Sequence, residues 1–442
     1  MANQNNTAET NQFIQEISDN LNMFIENINC LRETFSYSEG MLNQQKQNAD
    51  KAYADFIAPY KKENENGPFL DIPNEKLRNF KKFEKKKKRA EKALQLIPPT
   101  YIVSAVSIFD SFLAGLIRCI YNLKPELLLD SNMNFLYRDL VEYDSIKEVK
   151  KKIVETTIEK LFRDSHTEQI AWIEKAIAIK TLRDFAGWPN YIELTERRNL
   201  FVHSDGVVSS QYINECQKSG YKIDGISIGS RLLADKTYFY QSYNLLYEMA
   251  ILLTQVLINK LYLGKYSNNT SERDNILITC VFDLIVDKQY DIAINVSNFA
   301  CDSKSFKRNH KDKAYIELNL AQAYKWSGKL SKCKELLGSM DDSIMINDLK
   351  IPKLTLEDNF DAVYPLMISV GDSSEILKKD SYRDWPIFKE IRKEKEFADT
   401  FKKIFNEELV ESNTTIKVEP VETTTSVQDI VSDQIIEASS SI

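Results

Sequence analysis

A chain of 442 residues is too long for one ordinary core, so two or three domains are expected. An apolar fraction of 43% with 28% charged residues fits a soluble globular protein, and a net charge of −7 excludes recruitment of nucleic acid by bulk charge, leaving that role to a local patch. Only 12 Gly and 11 Pro punctuate long periodic segments, which favours helices. With no G-x-G-x-x-G or G-x-x-x-x-G-K-[ST] loop, a nucleotide-binding α/β reading is disfavoured.

In chain order, residues 9 to about 60 space Phe13, Ile17, Leu21, Phe24, Ile28 and Leu31 by threes and fours, which predicts a helical arm over 1–75. GPFLDIPNEK at 67–76 interrupts it. The run KLRNFKKFEKKKKRAEK, 76–92, carries ten Lys/Arg against Glu84 and Glu91. It reads as a solvated helix face, with helical spacing expected to spread the lysines around the axis, or alternatively as a phosphate-facing patch.

Pro98 and Pro99 are read as opening an apolar helix that stops before Pro125, with Asp110 as the one acid inside it. Amphipathic helices follow near 144–163 and 168–182, then one from about Tyr191 to His203. A Ser/Gly-rich loop at 204–230 precedes a helix from about Tyr238 to Leu263. The stretch AILLTQVLINKLYL from Ala250 carries Gln255 and Lys260, so it reads as a buried helix and not as a membrane span.

A composition shift at 264–275 closes the segment 76–265. Beyond it, 276–410 reads as helical pairs. Leu320, Ala321 and Tyr324 precede Gly328, and Leu330, Cys333 and Leu337 follow. Tyr290 and Ala293 match Leu330 and Cys333 about 40 residues earlier, and this order resembles the tetratricopeptide repeat. The tail 411–442, rich in Ser, Thr and acids, is predicted to be disordered. Six scattered cysteines without a C-x-x-C pair imply neither a metal site nor a disulfide framework, and the polar start MANQNNTAET suggests a cytoplasmic chain.

RRNLFVHSDG, 197–206, holds one of only three histidines; His166 and His310 sit in polar, loop-like text. His203 could simply complement a helix C-terminus. Asn199 and His203 share a face, whereas Arg198 lies about 140° from His203 on a regular helix, so one straight helix does not aim both at one atom.

Arg198-Asn199-Leu200-Phe201-Val202-His203 resembles the R-x(4–6)-H signature of HEPN domains, in the R-N-x-x-x-H form common among HEPN ribonucleases. The resemblance covers about 95–265. It implies an all-α helical bundle that homodimerises, joining two motifs in one cleft, and a metal-independent endoribonuclease of the toxin–antitoxin or antiphage kind, without cofactor or metal. Arg198 and His203 would be catalytic: His203 as general acid or base, Arg198 as a donor fork for phosphate oxygens. Asn199 and Asp110 would support them, Asp110 by holding Arg198. RNA would be the substrate, and a protein trigger would bind the C-terminal helical repeats. The competing reading is a non-catalytic helical scaffold with an inactive HEPN-like domain.

Overall fold

The computed structural model describes residues 2–128, 143–263, 269–302 and 306–409. Among these, fifteen α-helices and one two-stranded hairpin make up the regular structure, so the protein is all-α. The tail 411–442 lies outside the described residues. Contacts divide the chain into two compact units, Met1–Met345 and the residues from Ile346 onward.

The first unit is built on two long helices. α1 (Ala2–Ile57) buries Phe13, Ile17, Leu21, Phe24, Ile28 and Phe35 on one stripe, as the spacing predicts. It runs antiparallel to α2 (Leu77–Leu123) along most of its length: Asn20 Nδ2 donates to the Phe112 carbonyl at 3.0 Å, Ser38 Oγ meets Tyr101 OH at 2.8 Å, and Phe56 packs on Phe83. A Cβ at Gly115 would stand 1.9 Å from Asn20 Oδ1, so the glycine leaves room for the Asn20 amide against α2. The tip is the hairpin β1 (Lys61–Asn64) and β2 (Gly67–Leu70).

Pro98 and Pro99 do not start a helix; they lie inside α2. Each proline removes an intrahelical donor, yet the helix continues because both flanking halves are held on α1. Just after the prolines, Thr100 Oγ1 also bonds back to the Leu96 carbonyl at 2.8 Å.

Across this pair lie α3 (Ile146–Leu161), α4 (His166–Ala176), α5 (Trp188–His203), α6 (Ser210–Lys218) and α7 (Lys236–Leu257), the last continued by a π turn, Ile258–Tyr262. α7 stacks Phe239 on Phe35 at 4.0 Å and bonds Tyr243 OH to Asn29 Oδ1. Phe24, Phe109, Phe112 and Tyr247 form the aromatic centre. α3 is clamped by Arg118, whose two nitrogens donate to Glu155 at 2.7 Å and lower its carboxyl pKa. The π turn and α7 together are long and apolar enough to cross a membrane, and 72% of that window is buried inside the protein.

α6 is a helix where a loop was expected. Ser209 caps it, accepting from the Tyr212 N–H, and Tyr212 and Cys216, one turn apart, are fully buried with Leu200 and Val208. The serines and glycines around it mask this i, i+4 pair in the composition.

Helical pairs complete the first unit: α8 (Ser271–Val286) with α9 (Tyr290–Asp302), and α10 (His310–Trp326) with α11 (Leu330–Ser339). Their turns match. Lys288 and Gly328 take positive φ, and the next N–H bonds back to the Leu284 and Tyr324 carbonyls. Ala293 and Cys333 are buried at equivalent places, as the sequence alignment of the two segments requires. Arg273 and Asp274, both fully buried, lock this part to the π turn: Arg273 donates to Asp274, to Asn259 Oδ1 and to the Lys307 carbonyl. Burial lowers the Arg273 pKa and raises that of Asp274, against the attraction of the pair.

In the second unit, α12 (Asn347–Leu356) and α13 (Phe360–Val370) repeat the turn, with Asp358 at positive φ and Asn359 N–H bonded to the Leu354 carbonyl. α14 (Lys379–Asp384) and α15 (Lys395–Phe405) follow, packed through Tyr382, Phe388, Phe397 and Phe401.

Candidate functional site

α5 carries the R-N-x-x-x-H stretch, and what fixes that helix is buried beneath it. Glu193 Oε1 accepts from Arg197 Nε at 2.6 Å and from Tyr212 OH at 2.7 Å, while Oε2 accepts from Tyr238 OH at 2.7 Å. The Arg197 guanidinium lies 4.2 Å from the centre of the Tyr238 ring and donates to the Leu233 carbonyl at 3.0 Å. Burial opposes the charge of Arg197, and the adjacent Tyr238 and Glu193 outweigh it and raise its pKa. Burial first, then Glu193, raises the pKa of Tyr212 and of Tyr238, so both remain donors. Four side chains thereby tie α5 to α6, to α7 and to the loop before α7.

The next residue faces the other way. Arg198 is half-buried, and its Nη1 donates to Asn199 Oδ1 at 3.1 Å, while its Nε is buried without a hydrogen-bond partner. Asn199 is half-buried and His203, the last residue of α5, is exposed. The contact with Asn199 turns the guanidinium toward the face that Asn199 shares with His203.

The chain then turns sharply. Ser204 N–H and Gly206 N–H both bond to the Leu200 carbonyl, at 2.9 and 3.0 Å. Gly206 has φ +80°, and a Cβ there would stand 2.6 Å from the Leu232 carbonyl oxygen, so only glycine suits this position. Residues 206–208 pair with 229–232 through three backbone hydrogen bonds, including Leu232 N–H to Gly206 O at 2.8 Å. Around this end Val202, Val207 and Leu233 are exposed at 46, 41 and 66%.

Asp110 is elsewhere engaged. Its Oδ1 lies 3.0 Å from Nε2 of His166, so it supports a histidine and not Arg198. His166 is not in a polar loop either: it opens α4, is 9% exposed, and meets the Tyr191 ring edge-on. The Tyr191 hydroxyl is buried without a partner, and its pKa is raised well above the ordinary value by burial and then by Asp110. The sequence held one signal for this pairing. Ser165 and Glu168 form a capping box, which places His166 in the first helical turn.

The chain matches no protein-family model, no curated protein and no solved structure. Among the described residues no group of three His, Cys, Asp or Glu side chains is placed to hold a metal ion. A cleft of about 740 Å³ lies between the 178–186 segment and α7, floored by Met249, Leu252, Leu253 and Val256. Neither Arg198 nor His203 lines it.

What the motif offers chemically is a planar donor fork, an amide beside it, and an exposed imidazole on one helix end. Those groups suit a phosphodiester: the fork binds non-bridging oxygens and the imidazole moves a proton.

Proposed function

We propose that this chain is an endoribonuclease of the HEPN type, acting as a dimer and without a metal. The observation that supports the reading is the Arg198–Asn199 contact, which holds the guanidinium beside an amide four residues before exposed His203. RNA carries its own nucleophile. The 2′-OH attacks the adjacent phosphorus, its proton passing to an imidazole. The bond to the 5′ oxygen breaks, and that oxygen takes a proton from a second imidazole. The products are a 2′,3′-cyclic phosphate and a 5′-OH. Arg198 offsets the charge that builds on the phosphoryl oxygens.

Two imidazoles require two copies of the motif. Exposed Val202, Val207 and Leu233 beside His203 supply apolar surface for a two-fold contact. The helical pairs that share one turn geometry would receive a protein trigger, since stacked pairs present extended surfaces. Activity of this kind fits a regulated toxin or antiphage effector.

A non-catalytic scaffold is the second reading. In its favour, the acid expected beside Arg198 is bound to His166. Incubating full-length protein and His203→Ala with tRNA and total RNA in EDTA separates the two. Cleavage leaving cyclic phosphate ends, absent in the variant, supports the enzyme. Equal cleavage by both proteins, or none under conditions where expression is equally tolerated, supports the scaffold.

A further inference from the structure

The outer half of α2 carries a dense run of Lys and Arg in an acidic chain, and six of the ten cations in 76–92 share one side of the helix, where the spacing was expected to spread them around the axis. At 100° per residue, Arg78, Lys81, Lys82, Lys85, Arg89 and Lys92 fall within an arc of about 100°. All six are exposed, and none forms an ion pair with a described residue. The opposite face is committed to α1: Phe83 packs on Phe56, Phe80 on Tyr53, Ala90 is buried, and Lys87 lies over Tyr53 and 3.8 Å from Asp50. Glu84 and Glu91 sit on that side too, more than about 100° from the centre of the stripe.

The result is a cationic ridge about 21 Å long, with a positive side chain at nearly every turn and no carboxylate among them. We propose that this ridge binds the sugar–phosphate backbone of RNA. Its identification of RNA rests on the ribonuclease reading; the ridge itself does not. Charge complementarity to a linear polyanion explains why the cations repeat with the helix turn while their neighbours on α1 do not. An anionic membrane fits less well. A helix lying on a lipid surface inserts an apolar face, and here that face is buried against α1.

The test is binding of a fluorescent 30-nucleotide poly(U) RNA to full-length His203→Ala protein, by anisotropy across a salt series. The comparison proteins carry Lys81→Glu, Lys85→Glu and Arg89→Glu, the same three positions changed to Gln, or a charge-matched control with Lys147, Lys152 and Lys160 changed to Glu on α3. The ridge variants should bind at least about tenfold more weakly, and the Gln set should lower the slope of log K against log salt by about 2, at roughly 0.7 per cation lost on a single strand. The control should bind as the parent does. Equal weakening by ridge and control variants, or unchanged binding in all, overturns the proposal. So does a ridge whose loss affects only binding to phosphatidylglycerol vesicles. Because the assay uses a non-cleaving protein, ridge-dependent binding with an inactive wild type sinks only the nuclease reading. Wild-type cleavage with ridge-independent binding sinks only the ridge.

Discussion

Asp110 Oδ1 on α2 stands 3.0 Å from His166 Nε2 on α4, and this pair joins two helices 56 residues apart in the chain. The contact gives Asp110 a structural task. Asp110→Asn is expected to lower stability by about 1.5–3 kcal/mol, as for loss of a charge-assisted hydrogen bond in a half-buried site. His166→Ala should do the same, and the double variant should lose less than the sum. Chemical denaturation of the four proteins checks this. An Asp110→Asn protein with unchanged stability and abolished RNA cleavage would instead return the residue to the catalytic group.

Exposed His203 contributes little packing. His203→Ala should reduce cleavage by about 10²–10⁴-fold, the range for removing a general acid or base, with a stability change under about 0.5 kcal/mol. Arg198→Lys should fail to restore the rate lost in Arg198→Ala, because a point charge does not replace the fork that reaches Asn199. Rates measured on one RNA alongside thermal melts decide both points.

Glu193 accepts three buried hydrogen bonds, so its removal leaves Arg197, Tyr212 and Tyr238 without their acceptor. Glu193→Ala should destabilise the first unit by about 3–5 kcal/mol, the usual range for breaking a buried ion pair from one side. Gly206→Ala should also lower stability, through the Leu232 carbonyl oxygen 2.6 Å from the new Cβ and the positive φ. Hydrogen exchange would show which part opens. The segment 204–235 should lose protection before α1 and α2 do.

Glu196 is 7% exposed, and its carboxyl pKa is raised, first by burial and then by Glu215, against His166 and a hydrogen bond from Gln211. A carboxyl harder to ionise in the folded than in the unfolded state reduces stability above its folded pKa. Below the unfolded value, about 4.3, that penalty is gone. Glu196→Gln should therefore raise the melting temperature at pH 7.5 and make little difference at pH 4. A gain of equal size at both pH values would show that burial of charge is not its cause.

Much of this architecture is legible in the sequence. The stripe from Phe13 to Ile28 determines α1, Gly328 and the residues around it determine the turn between α10 and α11, and Tyr290 and Leu330 open equivalent helices. These features depend on neighbours within one or two turns, where periodicity and turn chemistry act directly. R-N-x-x-x-H is equally local, and so is the arc of cations on α2, although that spacing was expected to scatter the lysines around the axis.

What tertiary structure decided is the set of partners. Pro98 and Pro99 read as a helix start, yet α1 packs on both sides of them and carries α2 through. Asp110 could have faced water, Arg198 or a histidine, and only the docking of α4 selects His166. Arg197 and Arg198 are adjacent and chemically alike in the text. One is drawn under α5 by Glu193 and Tyr238, and the other is left half-buried against Asn199. A pairing between residues far apart in sequence is set by which surfaces are buried together, and no local pattern encodes that.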